Sequence, residues 1–113
     1  MNRVTPDRIE SEIRRLTREA EERRAELPKL YRAAAEADAA YRISYAKALL
    51  RAEGPVAIRE AQATADTGDL LWERKVSQSI ADAARDAAQL LKSQLLGVQS
   101  VGAMIRSEMD LQR

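Results

Sequence analysis

Apolar and small residues recur at alternating spacings of three and four along the first half of the chain. They are Ile9, Ile13, Leu16, Ala20, Leu27, Leu30, Ala34, Ala37 and Tyr41. The register skips only Arg23 and runs on into Ser44 and Ala48. Heptads sustained at a 3.5-residue period predict a coiled-coil seam rather than an amphipathic surface helix. Beyond Tyr41 the stripe drifts to Tyr45 and Leu49, as a straight helix of 3.6 residues per turn requires. Thr5-Pro6-Asp7 reads as the start. Thr5 can cap, Pro6 suits the first helical position, and Asp7 complements the positive end of the helix dipole. Pro28 removes one backbone hydrogen bond and crowds the preceding turn. Leu27 would be a poor cap for a new helix, so the pattern favours one kinked, continuous helix over a break near residues 26–28. Glu53-Gly54-Pro55 ends it, with Gly54 suited to a left-handed cap.

Residues 55–66 consist of good helix formers and predict a short connecting helix. Thr67-Gly68-Asp69 punctuates it, with Asp69 as the expected cap of the next helix. That third helix is expected from about 69 to 110, with two adjacent apolar stripes. One holds Val76, Ile80, Ala83, Ala87 and Leu90. The other holds Ala84, Leu91, Leu95, Val98, Gly102, Ile105 and Met109. Two long helices over about 6–52 and 69–110, joined by a short connector, predict an all-α, coiled-coil-like antiparallel hairpin forming a single domain over residues 1–113. A fold about the middle of the connector would pair residue i with about 122 − i. Ile13 then meets Met109, Leu16 meets Ile105, Ala20 meets Gly102, and Leu27 meets Leu95.

A lone hairpin buries little, and domains of this size are marginal already. The last helix also carries more apolar surface than one partner can cover. A second chain is therefore expected to pack on it by two-fold symmetry into a four-helix arrangement, through Leu90, Leu95, Val98, Val101 and Met104. The alternative is an N-terminal third that folds back after Pro28 and covers the same face.

Composition narrows the chemistry. The chain of 113 residues has no Cys, His or Phe, so a disulfide scaffold, thiolate and imidazole metal sites, and Ser-His or Cys-His catalysis are excluded. Its 19 basic and 18 acidic residues cancel within each third of the sequence. Neither the concentrated positive charge of a nucleic-acid binder nor the negative charge of a DNA mimic shows in the linear order. No run of about 18 apolar residues is present, so no membrane span is expected. The N-terminus has no secretory pattern, and a cytoplasmic protein is expected.

Candidate sites are few. Glu21-Glu22 lacks a concave apolar setting that would raise a carboxyl pKa. Asp82 and Asp86 lie one turn apart and flank Arg85, and they would need partner carboxylates to hold a hard cation. No catalytic, cofactor-binding or metal-binding residues are therefore assigned, and no cofactor or enzymatic activity is expected. Tyr31, Tyr41 and Tyr45 lie at or beside the seam and read as packing residues. Trp72, after Leu70 and Leu71, falls near the hairpin tip with Leu49, Leu50, Val56 and Ile58. It either anchors a small core there or presents a partner-binding hot spot with Leu71 and Leu50. Arg14, Arg15 and Arg18 are the best candidates for phosphate contacts, although glutamates interleave them and no stacking aromatics lie among them.

The stretch Tyr45-Ala-Lys-Ala-Leu-Leu-Arg-Ala-Glu-Gly54, with Ile58-Arg-Glu-Ala61 and Ile105-Arg-Ser-Glu108, resembles small α-helical accessory proteins of tailed phages and prophages. The resemblance covers residues 41–110. It implies a non-enzymatic accessory role in the host cytoplasm, beside recombination or single-strand-binding proteins. Secreted helical hairpins of the WXG type are excluded, because Glu73 and Arg74 follow Trp72 where that motif needs glycine. The expected function is protein–protein interaction, as an accessory or inhibitor of a host or phage protein. Nucleic-acid binding in phage DNA metabolism and a virion assembly or scaffolding role are the alternatives.

Overall fold

The computed structural model describes residues 5–112, and all its regular structure is helical. Helix α1 spans Pro6–Arg51, α2 spans Val56–Asp66 and α3 spans Gly68–Leu111. The all-α class and the expected element order are therefore present, with ends within about two residues of those expected. Helix α1 runs through Pro28 without interruption. The chain does not fold back after Pro28, so that route to covering α3 is not taken.

Each helix end has a local cause in the sequence. The Thr5 hydroxyl accepts a hydrogen bond from the Arg8 amide at 3.3 Å, and the Thr5 carbonyl accepts from Ile9 at 3.1 Å. That is a capped start. Gly54 has φ 108, in the region that costs a residue with a Cβ about 1–2 kcal/mol, and lets the chain turn after α1. Pro55 then precedes α2 and its carbonyl accepts the first amide bond, from Arg59 at 3.0 Å.

At the next junction Thr67, rather than Asp69, makes the connection. Its amide and hydroxyl both donate to the Ala63 carbonyl, at 3.2 and 2.7 Å, closing α2. Its own carbonyl accepts from Leu71 at 3.0 Å, opening α3. One residue thus joins two helices, and it is buried. Asp69 lies in the first turn of α3, where its charge complements the dipole.

The chain forms two compact units. The first combines the segment up to Glu26 with Ala84 onward, and the second comprises Leu27–Ala83. In the first, the core is Ile9, Leu16 and Ala20 of α1, with Leu16 only 1% exposed. Full burial of a leucine side chain contributes about 1.5–3 kcal/mol. Facing them on α3 are Leu91, Leu95, Val98, Gly102 and Ile105, all half-buried at the same alternating spacing. A Cβ built on Gly102 would lie 3.1 Å from the Ile9 Cγ2, so the absent side chain is what lets Ile9 seat there.

In the second unit, Leu27, Leu30, Ala34, Ala37, Tyr41, Ser44 and Ala48 are all buried or half-buried, as the heptad pattern requires. Ala63 of α2 and Ala81 of α3 are fully buried. Asp38 accepts from Arg74 at 2.7 Å, and the Arg74 guanidinium lies 5.4 Å from the centre of the Tyr41 ring. The Arg59 Nη2 reaches the Leu49 carbonyl at 3.5 Å, placing α2 beside the end of α1.

These contacts correct the expected register. Ile9 meets Gly102 in one unit and Asp38 meets Arg74 in the other, so paired numbers sum to 111 and 112 instead of 122. Ala20 does not face Gly102, nor does Ile13 face Met109, which is exposed. The reason is the connector. A symmetric fold about residue 61 assumes a passive link, whereas α2 packs along the last turns of α1 and takes the place that α3 would have had.

Two substitutions test this packing. Gly102→Leu should lower stability by about 1–3 kcal/mol, because the added side chain must displace Ile9. Pro28→Ala, at an exposed position inside α1, should raise it by about 1–3 kcal/mol by restoring the missing amide hydrogen bond. Urea unfolding followed by circular dichroism measures both.

Candidate protein-binding surfaces

Large apolar side chains left in water are the most informative feature of a structure with so small a core. Around the connector, Leu50 near the end of α1 is 81% exposed and Trp72 near the start of α3 is 69% exposed, with Val56 and Ile58 of α2 also open. Leu71 is half-buried. Trp72 does not anchor a tip core; Ala63 and Thr67 are the buried residues of this region. Leu50 and Trp72 lie on helices in the same unit, so regular backbone holds both.

A second exposed apolar surface lies on α3. Leu90 is 60% and Met104 65% exposed, and Val101 is open. Leu95 and Val98, expected in the same interface, occupy seam rungs instead and are half-buried. Val98 lines an open groove with Leu16. Val76 and Ile80 are exposed members of the α3 stripe that sequence reasoning did not place in an interface. The signal that identifies them is their place one residue before a seam rung.

The arginine cluster near the start of α1 is partly neutralised. The Arg15 Nε donates to Glu12 at 3.1 Å and Nη1 to Glu19 at 2.9 Å, while Nη2 also bonds Glu12. Glu19 thus turns back to Arg15 rather than forward to Arg23. The hydrogen bond from Arg15 holds the Glu12 carboxyl below its ordinary value of 4.5, and the same contact makes the Arg15 guanidinium harder to deprotonate. A phosphate at Arg15 would have to displace two carboxylates. Arg14 and Arg18 are exposed.

Tyr41 and Tyr45 are half-buried with ring centroids 6.0 Å apart, consistent with packing, whereas Tyr31 is exposed. Asp38 joins Arg42 at 2.9 Å as well as Arg74, forming a small charged network beside the Tyr41 ring. A shallow groove of about 390 Å³ in the first unit is lined by Pro6, Ile9, Glu10, Ile13, Gln99, Gly102, Ile105 and Arg106. Its two charged walls, Glu10 and Arg106, are both exposed. Among the described residues no group of three or more acidic side chains is placed to hold a metal ion. No described helix is long and apolar enough to cross a membrane.

Comparison with protein-family models, curated proteins and solved structures finds no match to this chain. Function therefore has to be read from the physical chemistry of these surfaces.

The Glu12–Arg15 contact has a checkable consequence. A carboxyl group lowered in the folded state contributes stability that is fully present above its unfolded value and lost as pH falls through its folded value. Carbon-detected NMR titration should give Glu12 a midpoint below 4.5, and Arg15→Ala should return it to the ordinary glutamate range.

Proposed function

We propose that the chain is a non-enzymatic protein–protein interaction module, an accessory or inhibitor protein of phage origin that binds a host or phage protein in the cytoplasm. The observation that carries this reading is Trp72, held on a helix yet 69% exposed, with Leu50 even more open on the same unit. A tryptophan left in water forgoes the burial that would stabilise the free chain. Tryptophan is also among the residues that most often dominate binding energy at interfaces. The Trp72 indole would enter an apolar cleft on the partner, with Leu50 and Leu71 completing the contact. The small net charge of +1 suits this mode, because affinity would come from apolar burial and shape rather than long-range attraction.

Affinity capture from a lysate of the source cells tests the reading. The wild-type chain should retain a protein that Trp72→Ala loses, with a loss in affinity of at least about thirtyfold for a side chain worth 2 kcal/mol or more. Circular dichroism should show unchanged helicity, since Trp72 contributes little to the core. Equal retention by both chains would reject the Trp72 site. Retention of nucleic acid that falls steeply with salt would favour the exposed arginines instead.

A further inference from the structure

Within the second unit the α1–α3 pair has two different sides. The first unit shows how the sides are built. There one groove is lined by Arg8, Glu12 and Arg15 of α1 and by Gln94, Gly97 and Val101 of α3. All six lie one residue before a seam rung. Such positions on two antiparallel helices border the same groove, and positions one after a rung border the opposite one. The same rule sorts the side chains within Leu27–Ala83. One side carries Asp38, Arg42, Lys75, Gln78 and Asp82. The other carries Ala33, Ala40 and Ile43 of α1 with Val76 and Ile80 of α3, all exposed.

The shape of this second side suits a helix. Trp72, Val76 and Ile80 stand at i, i+4 and i+8, one of the ridges by which helices interlock. The register set by Asp38 and Arg74 brings Ala40 level with Trp72 and Ala33 about level with Ile80. A ridge of large side chains on one wall and short ones on the other leave a trough. The side-chain row of a third helix fills a trough of this kind.

Charge determines what the edges of that helix carry. On the α1 wall, Lys29 and Lys47 pair with no carboxylate among the described residues, and Arg32 neutralises the intervening Glu36 at 3.1 Å. On the α3 wall, Asp69 and Glu73 pair with no cation among the described residues. Asp69 also complements the dipole of α3, but Lys29, Lys47 and Glu73 lie outside the terminal turns. One wall is therefore positive and the other negative, in a chain whose charges balance overall.

We infer that the trough takes an amphipathic helix of another protein, its apolar strip bordered by carboxylates on one edge and by Lys or Arg on the other. The acidic edge lies against α1 and the basic edge against α3. This inference rests on the reading of Trp72 as a partner site and names the element that meets it. The cleft that the indole enters is the groove between side-chain rows of that helix.

Trp72 is the only tryptophan, so its emission reports the trough directly. The probe is a synthetic helical peptide of roughly 20 residues without Trp or Tyr, long enough to reach from Lys29 to Lys47. Leucines at i, i+3, i+4 and i+7 form its strip, with Glu on one edge and Lys on the other. Titration with this peptide should shift Trp72 emission to the blue and saturate. At low salt, peptides with Lys on both edges or Glu on both edges should bind at least about fivefold more weakly. Ile80→Glu should lose the response with helicity unchanged, because a charge would enter the apolar contact. Absence of a shift up to millimolar peptide, or equal binding of all three peptides, would overturn the inference. So would a blue shift that grows with the concentration of the chain alone, which would assign the face to a second copy. Loss of a captured partner by Trp72→Ala, with no response to any peptide, would reject the helical occupant and leave Trp72 a binding site.

Discussion

Apolar rungs at a 3.5-residue spacing hold α1 against α3 in each compact unit, and the rest of the structure depends on which residues occupy them. In the first unit Leu16 and Ile9 fill the seam, and Gly102 gives Ile9 the space it needs. In the second unit alanines dominate, and burial alone contributes less there. Asp38, Arg74 and Tyr41 then add directional contacts between the same two helices. An ion pair more than a third exposed is worth little by itself. Its role is register: a slip of one residue would separate the Asp38–Arg74 pair and crowd Gly102.

So narrow a seam leaves much of each helix in water. On most of α1 the outer positions are charged and pair along the helix, as Arg32 does with Glu36. On α3 and around the connector large apolar side chains interrupt the charged positions. There Leu90, Met104, Leu50 and Trp72 stand open.

The α1 seam was legible because its period is long and broken only at Arg23, and burial follows it at the other rungs. The helix boundaries were legible because Thr5, Gly54 and Thr67 each carry a backbone requirement that few other residues meet. The register was not legible. Matching apolar size along two Ala-rich helices admits several alignments, and the choice depended on where α2 lies, which no local pattern encodes. The beginning of the α3 seam was hidden for another reason. Arg74 and Ser77 occupy rungs there, so a search for apolar residues passes over them. Trp72 was ambiguous in sequence because a tryptophan beside leucines fits either a core or a contact surface, and only its exposure separates these.

The register is the central structural claim, and methyl-resolved NMR tests it most directly. Nuclear Overhauser contacts between the Ile9 methyl groups and the α protons of Gly102 should be strong, as should contacts between the Tyr41 ring and the Arg74 side chain. Contacts from Ala20 to Gly102, or from Ile13 to Met109, with those pairs absent, would contradict it.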